Sequence, residues 1–387
     1  MTTMQADTLD TLTRDMTEWR RLIHRNPELG FEEHETAAFV AGKLRDWGIE
    51  THTGIGLTGV VGVIKGTLGE GRNVGLRADM DALPMQEQTN APYQSIKPNI
   101  FHGCGHDGHT AMLLGVARQF SQNRAFHGTL NLIFQPAEET LKGGSTMMKD
   151  GLFTRFPCDE VFALHNHPVL PPGKVGVRAG AILSACDLFR VHVHGVGGHA
   201  ASPHRAIDPI VIASSLVQAF QTITSRSIDP LQTAVVSICQ LHAGTAINVI
   251  ADKAMLEGTV RTLNHEVQAE VIKRLKEICA GAETTYRCKI VFDHLQTSPA
   301  TINHAHAAEI VEAAAREVVG EENLVSNVPP LMASEDFAYM LQVKPGAYFF
   351  LGQGGPMCHH PHFDFNDDVA PIGMSMLATI ARSRLTR

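Results

Sequence analysis

The stretch FHGCGHDGHTAMLLGVARQFSQNRAFHGTLNLIFQ, residues 101–135, decides how this chain is read. Its first nine residues carry one thiol, three imidazoles and three glycines. From position 108 to 122 the apolar residues recur at helical spacing, and 129–135 is a short β-rich run. A turn-rich cluster, a helix and a strand therefore follow one another directly. Glycine permits sharp turns that other residues resist, so Cys104 and His106 can be aimed at one point. Thiolate and neutral imidazole both suit zinc and its borderline-soft neighbours.

Working outward, residues 8–25 and 34–47 read as helices separated by the break Pro27-Glu28-Leu29-Gly30. Positions 60–64, 74–79 and 161–165 read as further strands, and 143–151 as a helix. Strands alternating with helices predict an α/β domain whose mixed sheet is covered by helices. In such sheets ligands gather where strands end, which is where Cys104, His106, Glu139 and His165 fall. The middle of the chain has a different order. Strands at 188–195, 233–241, 254–261 and 289–293 enclose helices at 206–226 and 265–280, the β-α-β-β-α-β pattern of a ferredoxin-like α+β unit. Helices at 305–319 and around 334–341 and a strand at 347–351 then return to the first pattern. The expected organisation is one domain built from 1–182 and 295–387, with 183–294 inserted into it.

A chain of 387 residues is long for one core, which also favours two domains. Its formal net charge of −8 argues against nucleic acid or an anionic membrane as partner. Seven scattered cysteines form no paired spacing, as expected of free thiols in a reducing compartment. The polar N-terminal segment lacks a basic start followed by an apolar run, and no apolar stretch is long enough to cross a bilayer. The expectation is a cytoplasmic protein.

Ligand-type residues recur downstream. Gln135-Pro136-Ala137-Glu138-Glu139 places two carboxylates side by side, and neighbours in extended backbone point to opposite sides. One can then hold a metal while the other takes a proton, and Glu139 is read as ligand, Glu138 as general base. His165 ends an apolar strand just before Asn166-His167-Pro168. In Cys358-His359-His360-Pro361-His362-Phe363-Asp364, composition does not choose among the three histidines. Asp79 and Asp81 suit ligation, support of a ligand, or a turn, while Asp107 and His109 suit orienting the ligands. In the middle segment, the glycine-rich turn at 195–204 carries His199, which can reach a reacting carbonyl and stabilise its oxyanion. Arg261 offers a guanidinium fork for a carboxylate, and Asn248 lies in the same segment. A thiol amidase using Cys104 with His106 or His109 is a rival reading, but it leaves Glu138, Glu139, His165 and His362 without a task. A metal-dependent binding protein is a second rival, weakened by the presence of Glu138.

Six blocks carry a resemblance: RADMDALP (77–84), CGHDGHTAML (104–113), FQPAEE (134–139), GGHAASPH (197–204), ASEDFAYM (333–340) and HHPHFDFND (359–367). In sequence and order they resemble the metallo-amidohydrolase family of aminoacylases, hippurate hydrolases and auxin-conjugate (IAA-amino acid) hydrolases, related to metallo-carboxypeptidases. That resemblance implies an α/β catalytic domain with a dinuclear metal site and an inserted ferredoxin-like domain used as dimerisation or lid domain. It implies Cys104, His106, Glu139, His165 and His362 as ligands, selecting the last from its run, and Glu138 as base. It also implies that His199 serves a partner subunit's site, that Asn248 and Arg261 hold a substrate carboxylate, and that Asp81 supports the ligands. The implied cofactors are two divalent ions: zinc, manganese, nickel or cobalt. The implied assembly is a homodimer or dimer of dimers, and the implied reaction is hydrolysis of an N-acyl amino acid, with an exo-acting dipeptidase or carboxypeptidase as the alternative. Gly103 and Ala251 depart from the family's usual alanine and proline, which touches loop stiffness more than chemistry.

Overall fold

The computed structural model describes residues 2–386, with side chains from residue 9 onward. The chain divides into two compact units, one made of Met1–Ile182, Ile302–Pro329 and Asp336–Arg387, the other of Leu183–Thr301 and Pro330–Glu335.

The first unit is built on an eight-stranded mixed sheet. Its strands are β1 (Glu50–Ile55), β2 (Gly59–Lys65), β3 (Asn73–Asp79), β4 (Thr129–Gln135), β5 (Glu160–His167), β6 (Val175–Val177), β7 (Leu324–Ser326) and β8 (Gly346–Gly352). They lie in the order β1-β2-β4-β3-β5-β8-β6-β7. The four central strands β4, β3, β5 and β8 run parallel, whereas β1 and β2 pair antiparallel to their neighbours and β6 pairs antiparallel to β8 but parallel to β7. Every residue of β8 and all but the first of β4 are buried, the near-continuous apolar run of a sheet covered on both faces. Val74, Leu76, Leu130, Leu132, Phe162 and Phe349 share one core with Met112, Val116 and Leu377 of the helices His106–Gln122 and Ala370–Arg384.

Parallel strands bring their carboxyl ends to one edge. Asp79 pairs across from Gln135, and Gly352 across from His167. The chain therefore leaves the sheet there four times, into 80–82, 136–139, 168–170 and 353–359. One expected element differs. The helix around 334–341 is reduced to Ala338–Leu341, because Asp336 is drawn out of helical bonding by its side-chain partners Arg77, Gln135 and the Gly144 amide.

The second unit has a four-stranded antiparallel sheet in the order Ala234–Ala243, Lys253–Thr262, Ala185–His194, Lys289–Ser298. The helices Pro209–Thr222 and His265–Tyr286 pack on it, each entered through a side-chain cap, from Asp208 and Asn264 respectively. Phe189 is fully buried, stacked on Phe292 with ring centroids 5.6 Å apart and edge-on to Phe220 at 6.1 Å. Among the described residues no helix is long and apolar enough to cross a membrane. Phe189→Ala is expected to remove about 3–5 kcal/mol of packing from this unit alone. Hydrogen exchange should show faster exchange in its four strands while β3, β4 and β5 keep their protection. Unchanged exchange would contradict the placement of this core.

Candidate metal centre

Gly105 caps the His106–Gln122 helix in the left-handed region, with φ of 98°. A side chain there would be strained, and its Cβ would sit 2.2 Å from Asn166 Oδ1. This turn delivers Cys104 and His106 on either side of a helix start. The Nδ1–H of His106 donates to the Asp81 carbonyl at 2.9 Å and lies 3.2 Å from Asp81 Oδ1. That fixes the tautomer and leaves Nε2 facing inward, 3.9 Å from Glu139 Oε1, 4.0 Å from Glu138 Oε2 and 3.8 Å from Asp79 Oδ2. The Nδ1–H of His165 donates to the Asn166 carbonyl at 2.7 Å, which turns its Nε2 toward Cys104 Sγ at 3.4 Å. Asp81 does further service: its Oδ2 accepts the Glu139 amide at 2.9 Å.

The donor atoms of Cys104, His106 and His165 lie within 4.8 Å of one another, as do those of Cys104, Glu139 and His359 and those of His106, Glu138 and Glu139. Cys104 is common to the first two groups and His106 to the first and third. His106 Nε2 and Glu139 Oε1 are buried without a hydrogen bond. Such atoms are rare in folded proteins and mark a place for a missing partner. A cation satisfies an imidazole lone pair and a carboxylate together, and the S, N and O donors suit a borderline transition metal. The residues fit a metal.

Electrostatics agrees. Four carboxylates, Asp79, Asp81, Glu138 and Glu139, surround His106. The guanidinium of Arg77 is spent on Asp79 at 2.6 Å and Asp336 at 3.2 Å. Burial disfavours a charged His106, yet Asp79 and Asp81 outweigh it and raise its pKa well above the ordinary value. Burial and the neighbouring His109 push His165 well down, which keeps its lone pair free. Against burial, His359 and His106 hold the Glu139 carboxyl below its usual range. A bond to the Cys358 thiol, with burial, pushes the Cys104 thiol up.

Of the residues singled out in the sequence, Cys104, His106, Glu138, Glu139, His165 and Asp81 come together here. His362 does not: it is exposed, and its backbone amide bonds to His360 Nδ1 at 3.1 Å. His359, also exposed, lies closer, with Nε2 3.3 Å from Glu139 Oε1. The cause is local. His359 adopts a left-handed φ of 65°, and its amide donates to the Gly103 carbonyl at 2.8 Å, so its ring faces the cysteine loop. The chain then passes through Pro361 to solvent before Phe363 is buried. His109 and Asn166 form an outer layer: His109 Nδ1 meets Asp79 Oδ1 at 2.6 Å and its Nε2 meets Asn166 Oδ1 at 2.7 Å. Asn166 was visible only as a polar residue beside His165, with nothing in its spacing to mark it.

The remaining three residues lie in the second unit. His199 is exposed on the short strand Gly198–His199, which pairs with Val249–Ile250, and its Nδ1 accepts the Ala201 amide at 3.0 Å. Asn248 adjoins that ribbon and accepts the Ala200 amide through its carbonyl at 3.2 Å. Arg261 is half-buried on Lys253–Thr262, opposite Cys186, and one guanidinium nitrogen donates to the Val260 carbonyl at 3.1 Å.

Residues 75–383 match the family model described as peptidase family M20/M25/M40. The chain is 43% identical over 363 residues to hippurate hydrolase of Campylobacter jejuni, covering 94% of each. It is 38% identical to N-acetyl-L-cysteine deacetylase of Bacillus subtilis, covering 97% of this chain and 89% of that one. The solved Bacillus subtilis YXEP protein, described as a dinuclear metal binding peptidase from the M20 family, is similar at 32% identity with a TM-score of 0.85, over 97% of this chain and 99% of that one. The chain belongs to peptidase family M20/M25/M40 and is an amidohydrolase.

Proposed function

We propose that this amidohydrolase cleaves the amide bond of N-acyl amino acids, of the hippurate or N-acetyl amino acid kind, with two divalent metal ions held by Cys104, His106, Glu139, His165 and His359. The observation that carries this reading is the pair of buried, unbonded atoms His106 Nε2 and Glu139 Oε1 amid thiol, imidazole and carboxylate donors. The hippurate hydrolase and N-acetyl-L-cysteine deacetylase relatives support the substrate class. Zinc, manganese, nickel and cobalt all suit the donor set.

When bound, such ions act as Lewis acids that polarise a carbonyl and lower the pKa of water. The chain's own residues supply the rest. Glu139 shares donor groups with Cys104, His359 and His106, whereas Glu138 meets neither the cysteine nor His359 in them. Glu138 is therefore the carboxylate left to accept the attacking water's proton and return it to the leaving amine. Asp81 keeps His106 in its tautomer and Glu139 in its direction. His199 is assigned to the oxyanion, and a homodimer in which it serves the partner subunit's site is the assembly this reading calls for. Asn248 and Arg261 are assigned to the amino acid's carboxylate, where a guanidinium fork offers two parallel hydrogen bonds. The second unit, in this reading, is the dimerisation and substrate-gripping part, and the first is catalytic.

Hydrolysis of N-benzoylglycine and a panel of N-acetyl amino acids, followed by release of the free amino acid, should vanish on chelation and return with divalent metal. Activity that survives verified metal removal would overturn the reading. Glu138→Gln is expected to retain metal and lose about 100- to 10,000-fold in kcat; near-wild-type turnover would reassign the base. Metal content measured by mass spectrometry should fall in His359→Ala and stay at the wild-type level in His362→Ala, and the reverse result would restore His362. Arg261→Lys should raise KM for carboxylate substrates more than it lowers kcat, and unchanged KM would release Arg261 from its task.

A further inference from the structure

Ala137, immediately before the Glu138–Glu139 pair, is fully buried and sits at φ of 54°. For an L-residue other than glycine or asparagine this left-handed region costs about 1–2 kcal/mol, so the surroundings have to hold it there. Two buried carboxylates do so. Glu33 Oε1 accepts the Ala137 amide at 2.7 Å, and Asp81 Oδ2 accepts the Glu139 amide at 2.9 Å. The amides on either side of Glu138 are thus both pinned. Glu33 is 0% exposed and is itself held by the Thr58 hydroxyl, which donates to Oε2 at 2.5 Å. Among the described residues no lysine, arginine or histidine forms an ion pair with it. Burial, with the nearby Asp81 charge adding to it against the Thr58 bond, pushes its carboxyl up to about 7. A buried acid without a counter-charge is a poor source of stability. The loop that carries it is pressed on the same turn, since a Cβ at Gly30 would lie 3.0 Å from both Cα and Cβ of Ala137.

We infer that Glu33 is a positioning residue for the reaction: it clamps Ala137 in the left-handed conformation and so sets the direction in which the Glu138 carboxylate is presented. This rests on the reading of Glu138 as base. Without the clamp the Ala137 amide loses its acceptor and the turn loosens toward negative φ against the bonds that the Thr140 hydroxyl at 2.9 Å and the Gly143 amide at 3.2 Å make to the Ala137 carbonyl, and the carboxylate leaves its line to the attacking water. Asp81 still holds Glu139, so ligation persists. The acceptor oxygen matters and the charge does not, because a neutral carboxyl or an amide can take the same amide hydrogen.

The test uses the metal-loaded enzyme and N-benzoylglycine. Glu33→Ala is expected to lower kcat about 10- to 100-fold, as a misplaced catalytic group does, with KM and metal content near the wild-type values. Hydrogen exchange over 136–141 should quicken. Glu33→Gln should stay within about 3-fold of wild type, since its amide oxygen keeps the bond to Ala137. Adding Ala137→Gly to Glu33→Ala should recover much of the lost kcat, because glycine needs no clamp to adopt positive φ. Wild-type kcat in Glu33→Ala, or no recovery in the double variant, would overturn the inference. If Glu33→Ala does not fold, Glu33→Gln decides: a soluble protein with metal bound and kcat reduced 100-fold would sink it. Glu138→Gln assayed alongside keeps the two readings apart, since turnover there refutes the base assignment whatever Glu33 does.

Discussion

Asp81 is the residue through which the candidate metal ligands are tied together. Its carbonyl takes the His106 Nδ1–H, and its carboxylate meets both that imidazole and the Glu139 amide. One short side chain at the end of β3 thereby sets the tautomer of one donor and the backbone direction of another. It can do so because β3 and β4 are adjacent parallel strands, with Asp79 opposite Gln135, so that the segments leaving them start side by side. His165 arrives by the same rule from β5, and His359 from the chain that follows β8. The sheet order is what makes a cluster out of residues far apart in sequence.

Such a cluster carries a cost in the folded protein. Carboxylates gathered around a buried imidazole repel one another, and Arg77 is committed to Asp79 and Asp336. A buried donor or acceptor left unbonded costs about 1–3 kcal/mol, and His106 Nε2 is in that state, while Glu139 Oε1 has only the exposed His359 imidazole at 3.3 Å. A hydrophobic core would be a cheaper way to fill the space. The arrangement is comprehensible as a site whose balance is completed by cations, which bind the folded form and so stabilise it in proportion to their affinity. The outer residues fit the same logic. His109, held by Asp79 and Asn166, braces the His165 side, to which its ring centroid lies 4.6 Å away, much as Glu33 and Asp81 brace the glutamate side.

Much of this is legible in the amino-acid sequence. The runs at 74–79, 129–135 and 161–165 stand out because strands buried on both faces are largely apolar, and they correspond to β3, β4 and part of β5. The turns beside them stand out because only glycine suits places such as 105, where φ is positive and Asn166 fills the space of a side chain. What could not be read is anything that depends on tertiary capture. The segment around Asp336 has helical spacing, yet its side chain is claimed by Arg77, Gln135 and the Gly144 amide, and the helix starts only at Ala338. Nothing in the sequence marks Glu33, because its partner Ala137 is more than a hundred residues away and its importance lies in a backbone angle. That His359, and not His362, lies beside Glu139 has the same cause. Motif spacing counts positions along the chain, whereas a ligand is chosen by where the backbone points. A single left-handed residue, anchored to the Gly103 carbonyl, sets the earlier histidine beside Glu139, although both histidines are solvent-exposed, while the later one bonds back to His360.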